Sequence, residues 1–85
     1  MEGVLVSREQ VLTLVRNHLA EELELDAAEI GETSRFKDLD ADSLDLYELV
    51  MELEDTYGIS VSEEQAAKIA TVGDAVDFVL EHAPA

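Results

Sequence analysis

Asp42-Ser43-Leu44-Asp45-Leu46-Tyr47-Glu48-Leu49-Val50-Met51-Glu52-Leu53-Glu54-Asp55-Thr56-Tyr57-Gly58 is the stretch on which the fold of this chain turns. On a helical wheel of roughly 100° per residue, Leu46, Leu49, Val50, Leu53 and Tyr57 gather into one apolar stripe, the face a helix buries. Asp45, Glu48, Glu52 and Asp55 gather on a different face. Leu44, Tyr47 and Met51 form a second apolar strip beside those acids, at helical spacing. The pattern predicts a helix over residues 43–57, capped by Asp42 or Ser43 and stopped by Gly58, which adopts a left-handed conformation at little cost. A helix built for stability alone would not look like this. The neighbours Asp45/Glu48, Glu48/Glu52 and Glu52/Asp55 each cost about 0.2–0.5 kcal/mol, and the helix dipole favours acids only in the first turn. A basic partner would relieve the repulsion. The second strip is then either an apolar surface for that partner or core covered by a neighbouring loop or helix.

Working outward, Ser7-x-x-Gln10 predicts a capped first helix with Val11, Leu14, Val15 and Leu19 on one face, and Leu23 continuing the stripe. A long connection follows, over about residues 25–42, with Ile30, Phe36 and Leu39 expected to tuck it against the core. Connections of that length in a small domain tend to be functional. Beyond Gly58, Ser62-x-x-Gln65 predicts a short helix over about 63–68. Thr71-x-x-Asp74 then opens a last helix carrying Val72, Val76, Val79 and Leu80. The expectation is one all-α domain over residues 1–85, a small four-helix bundle of three main helices and one short one with a long first loop. A lone proline, Pro84, suits such a bundle.

Charge narrows the partners. The chain has 21 acidic and 5 basic residues, a formal net charge of −16. All ten charged residues from Asp38 to Ala67 are acids. Nucleic acid and anionic membrane surfaces are repelled by such a field, and partners bearing Lys and Arg patches are steered towards it. With no cysteine, thiolate catalysis and zinc–thiolate sites are excluded. Met1 to Val6 is too short for a signal sequence and no apolar run reaches spanning length. The chain therefore reads as cytoplasmic, as would a mature organellar protein whose targeting segment had been removed. No membrane insertion is expected, and a monomer is.

Ser43 follows Asp38-Leu39-Asp40-Ala41-Asp42 at the mouth of the second helix. Backbone N–H groups there favour an attached phosphate. Asp40, Asp42 and Asp45 would repel a free one, so a phosphate held at this point has to be covalently bonded. On residue type alone, Ser43 could equally be no more than a cap.

The stretch from Phe36 to Val79 resembles acyl carrier proteins of type II (dissociated) fatty acid synthesis. The likeness rests on Asp42-Ser43-Leu44-Asp45, Glu48-Leu49-Val50-Met51, Ile59, Ala66, Ile69 and Thr71-Val72-Gly73-Asp74-Ala75, with Leu19 and Ile30 extending it. It implies that Ser43 receives 4′-phosphopantetheine from coenzyme A through a separate transferase, and that the arm's thiol carries growing acyl chains as thioesters. It also implies that the helix bundle shelters the acyl chain, and that Leu44, Tyr47, Glu48 and Met51 meet partner enzymes. Together with the wheel, this makes Asp42, Leu44, Asp45, Tyr47, Glu48, Met51, Glu52 and Asp55 the candidate partner-binding residues, for phosphopantetheinyl transferase and fatty acid synthesis enzymes with basic docking patches. No catalytic or metal-ligating residue is assigned. Carriers of polyketide or specialised lipid synthesis use the same serine, but the Glu48–Met51 run and the Ile69-Ala70-Thr71-Val72 segment look more like the fatty acid type. Three features depart from the family: Asp40 stands where glycine is usual, the segment between the first helix and Phe36 is longer, and Phe36 is one residue closer to the serine.

Two other classes fit less well. Asp38, Asp40 and Asp42 occupy the first ligand positions of an EF-hand loop, but Ser43 stands where its glycine belongs and Leu49 where its bidentate glutamate belongs. A serine hydrolase would need a Gly-x-Ser-x-Gly elbow, which is absent, and only His18 and His82 could serve as base.

Overall fold

The computed structural model describes residues 7–83; the terminal segments, with Met1 to Val6 and Pro84, lie outside the described residues. Within them the chain is helical: α1 (Arg8–Leu23), a 3-10 turn (Ala27–Glu29), α2 (Ser43–Tyr57), α3 (Glu63–Ala67) and α4 (Val72–His82). Pairing between extended segments is limited, among the described residues, to one bridge between Arg35 and Thr71.

Each helix begins where a side chain accepts its first free N–H. Ser7 Oγ accepts from the Gln10 N–H, although the reciprocal half of the expected box is not formed. Complete boxes open α2 (Asp42 and Asp45), α3 (Ser62 and Gln65) and α4 (Thr71 and Asp74). At α2 the cap is Asp42, and Ser43 is the first residue inside the helix. The helix ends at Gly58, φ 66°, as its glycine predicts. α3 ends one residue sooner than expected, with Lys68 as its C-cap.

The three long helices share the core. Val11, Val15 and Leu19 of α1, Leu49 and Leu53 of α2, and Val72, Ala75, Val76 and Val79 of α4 are buried together with Ile30, Phe36, Ile59 and Ile69 from the connections. Each fully buried aliphatic side chain contributes about 1.5–3 kcal/mol. Leu46 and Tyr57, expected in the α2 stripe, pack on the edge of this core and stay half-buried, as do Leu14 and Leu80.

The long connection before α2 is ordered by its own hydrogen bonds. The N–H groups of Leu39, Asp40 and Ala41 are satisfied within tight turns on Arg35, Phe36 and Lys37. The connection is also stitched to the start of α4. Phe36 N–H donates to Ala70 O at 3.1 Å, Val72 N–H to Ser34 O at 3.0 Å and Gly73 N–H to Glu32 O at 2.8 Å. A Cβ at Gly73 would lie 3.0 Å from that Glu32 carbonyl oxygen, so the close approach depends on glycine. Arg8 completes the join from α1, its guanidinium bonding Glu32 of the loop and Asp77 of α4. These contacts fix the direction from which the chain enters α2.

Candidate functional site

The entry to α2 separates two tasks that one hydroxyl often combines. Asp42, extended at φ −90° and ψ −176°, accepts from the Asp45 N–H at 2.9 Å, while Asp45 accepts from the Asp42 N–H at 3.1 Å. The cap is thus made by carboxylates, and Ser43, one residue on, is exposed at the first helical position. A serine acting merely as the cap is thereby corrected. Two residues before Asp42, Asp40 takes up φ 62°, the left-handed conformation that glycine adopts most easily. The turn expected of a glycine is therefore made, by an aspartate.

Behind Ser43 opens a groove of about 450 Å³ between α2 and α3. Leu46, Val50, Met51, Val61 and Ala66 give it an apolar lining, with Ser43 on its rim. The segment leading into α3 is tied to α2 by Glu54, whose carboxylate accepts from the Val61 N–H at 2.8 Å.

The second apolar strip of α2 is bare, with Tyr47 and Met51 bordering that groove. Leu44 and Tyr47 are each 61% exposed and Met51 49%, so neither the loop nor α3 covers them. Glu48, Glu52 and Asp55 are exposed beside them, and Asp45, which also serves the cap, is half-buried. The candidate partner-binding residues therefore share one continuous surface that begins at Ser43. The wheel of α2 alone could not show that α1 adds to it. His18 Nδ1 lies 3.0 Å from Glu52 Oε1. Glu22, on the last turn of α1, meets Glu48 and Asp45, and its carboxyl is pushed up to about 7 by a hydrogen bond to Glu48, by desolvation and by the nearby Asp45.

The residues fit a phosphopantetheine anchor. The hydroxyl is accessible and not used for capping, the first-turn N–H groups of α2 favour a phosphoryl group, and an apolar groove lies alongside. A model of the phosphopantetheine attachment site family matches residues 13–79. An acyl carrier protein from Rubrobacter xylanophilus is 45% identical over 78 residues, 91% of this chain and 96% of that protein.

The chain belongs to the acyl carrier protein family.

A further member, from Lactobacillus acidophilus, is 40% identical over 91% of this chain and 98% of its own. The folds agree as well. The acyl carrier protein of Enterococcus faecalis matches with a TM-score of 0.79 at 38% identity, covering 92% of this chain and 100% of its own. That of Thermotoga maritima gives 0.76 at 30%, covering 87% of each. Membership makes the chain a carrier of acyl groups on 4′-phosphopantetheine, the role that acyl carrier proteins usually serve in fatty acid synthesis. It also displaces the EF-hand and hydrolase readings. Asp42, which would be a calcium ligand in the first, is engaged as a cap. Of the two bases open to the second, His18 is bonded to Glu52, and His82 stacks on Phe78 with its Nδ1 2.9 Å from the Phe78 carbonyl oxygen.

Proposed function

We propose that Ser43 is the attachment point for 4′-phosphopantetheine and that the exposed side of α2 is where the enzymes acting on the cargo dock. The observation that carries this reading is the division of labour at the α2 start: Asp42 caps the helix and leaves Ser43 an exposed hydroxyl at its first position. The Ser43 oxygen would hold the phosphodiester beside the N–H groups of the first turn. Asp42 and Asp45, locked in their box, keep that turn in place whether or not the hydroxyl is modified. The arm, once attached, supplies a thiol that bears the acyl chain as a thioester. Leu46, Val50, Val61 and Ala66 offer that chain a water-poor groove next to its tether.

The chain itself is non-catalytic on this reading, a monomeric single domain over residues 1–85 that other enzymes use as substrate in the cytoplasm. Among the described residues, no helix is long and apolar enough to cross a membrane. Phosphopantetheinyl transferase and the enzymes of fatty acid synthesis would approach with basic patches, drawn by Asp42, Asp45, Glu48, Glu52 and Asp55. They would cover Leu44, Tyr47 and Met51 on arrival. Charge then sets the encounter rate and apolar contact supplies much of the affinity.

Incubation of the purified chain with coenzyme A and a broad-specificity phosphopantetheinyl transferase should add one phosphopantetheinyl group, mapped by tandem mass spectrometry to Ser43. An unchanged intact mass beside an acceptor that is modified in the same reaction would sink the assignment.

A further inference from the structure

Resting on the docking reading of α2, we propose that His18 of α1 is a positioning residue of the docking face: its ring N–H holds the carboxylate of Glu52 in place on α2, so that a basic partner meets that acid already aimed.

Glu52 lies past the middle of α2, where the helix dipole no longer favours an acid and an exposed glutamate is free to turn about several torsions. His18 reaches it across the seam between α1 and α2. Its Nδ1 lies 3.0 Å from Glu52 Oε1. An ionised carboxylate only accepts, so the hydrogen belongs to Nδ1 and the ring donates.

The two ends of this bond are unlike. The His18 side chain is 15% exposed and that of Glu52 45%. The donor is set in the wall of the molecule, and the acceptor stands at its surface. The ring's other nitrogen, Nε2, is buried without a hydrogen-bond partner and comes only within 4.0 Å of Glu22 Oε1. Val15 and Leu19, on either side of His18 in α1, have no exposure. The helix that carries the donor is thus fixed by the core, and the carboxylate is brought to it.

Glu52 is also where two open surfaces meet. It borders the one that Met51 and Asp55 share on α2, and a second cleft of about 420 Å³ shared with Gln10, Leu14, Asn17 and His18 of α1. Asp42 and Asp45 are held by their capping box. Glu52, about two turns further along, is out of reach of any cap, and His18 does for it what the box does for them. A side chain ordered before encounter loses little freedom when it pairs, and affinity gains by the difference. The bond engages one oxygen of Glu52 and leaves the other to a lysine or arginine.

Phosphopantetheine transfer to the full-length apo chain by a broad-specificity transferase, in low salt, tests this. His18→Leu keeps an apolar body of similar size and removes the donor. It should raise KM for the chain by about two- to tenfold with kcat unchanged. His18→Asn, whose side-chain N–H takes the place of Nδ1–H, should restore KM to near the wild-type value. Glu52→Ala should itself raise KM, and His18→Leu should add nothing in that background. An unchanged or lower KM in His18→Leu, an unchanged KM in Glu52→Ala, an effect of His18→Leu that persists beside Glu52→Ala, or no rescue by His18→Asn overturns the positioning role. The docking reading survives any of these so long as Glu48→Lys raises KM; if it does not, that reading falls as well. One readout needs no variant. Nitrogen-15 NMR of the free chain at mildly alkaline pH should find the His18 ring proton on Nδ1, and a ring protonated on Nε2 alone overturns the proposal.

Discussion

α2 and α4 solve the same local problems in different ways. α4 is opened by Thr71, half-buried, whose hydroxyl accepts from the Asp74 N–H at 3.0 Å. Asp74 returns bonds to Thr71 and Ala70, and its carboxyl is held below the usual range by those backbone N–H groups. α4 then buries Val72, Ala75, Val76 and Val79 and leaves no large hydrophobic side chain fully exposed. α2 assigns its cap to an aspartate, keeps its hydroxyl free, and leaves Leu44, Tyr47 and Met51 in water beside a row of acids. α4 is built to be finished when the chain has folded. α2 keeps an apolar strip that folding leaves uncovered, the strip that the proposed docking would bury.

The contrast can be broken most directly at the apolar positions. Leu49→Ala removes a side chain with no exposure and should cost about 2–5 kcal/mol. Met51→Ala, two residues on and 49% exposed, should stay within about 0.5 kcal/mol. Urea melts of both variants measure the difference, and comparable losses would mean that the outer strip is core after all. At the helix starts the effect is smaller. Thr71→Ala should cost about 0.5–2 kcal/mol as a lost cap, whereas Ser43→Ala should stay within about 0.5 kcal/mol because Asp42 still caps α2. A cap-sized loss at Ser43 in the same melts would show that the hydroxyl is structural.

The finest test compares two carboxyls that are shifted in opposite directions. Asp74 is depressed below 3.8, so the stability it contributes is present above that value and is lost as pH falls through its folded value. Glu22 is raised from 4.5 to about 7, so its contribution is present below 4.5 and is lost as pH rises to about 7. The difference in stability between wild type and Glu22→Gln should therefore change only across that interval, and the difference for Asp74→Asn only at the acid end. Melts followed by circular dichroism across the acid and neutral range would show it. A Glu22→Gln difference that is flat from mildly acidic to neutral pH would contradict the charge crowding at the α1–α2 seam.

What was legible in the sequence was what a single helix carries in its own periodicity and punctuation. Residues 43–57, the Gly58 stop and the caps of the last two helices are all of this kind, and so is the separation of α2 into three faces. Ser43 was legible through its surrounding motif. The Asp42–Asp45 box does not stand out in the sequence, because an acid at both ends departs from the usual Ser/Thr with Glu/Gln pattern. Apart from Ile30, Phe36 and Leu39 tucking the connection against the core, contacts between elements were not legible. Arg8 reaching Glu32 and Asp77, the loop stitched to Ala70, Val72 and Gly73, and Glu22 set against Glu48 each join residues whose separation no helical period encodes. The turn before Ser43 has Asp40 where the family usually has glycine, and its φ of 62° shows that a side chain is accepted there.

α3 has a consequence of its own. None of its five residues is buried, so few apolar contacts oppose its opening, and segments of that kind exchange their amide hydrogens ahead of a protein's scaffold. The amides of α3 should therefore exchange well before those of α1 and α4. The partition beside Ser43 is thus the softest side of its groove. A groove with one soft side can change its volume by shifting that side alone, while α1, α2 and α4 hold the core they share.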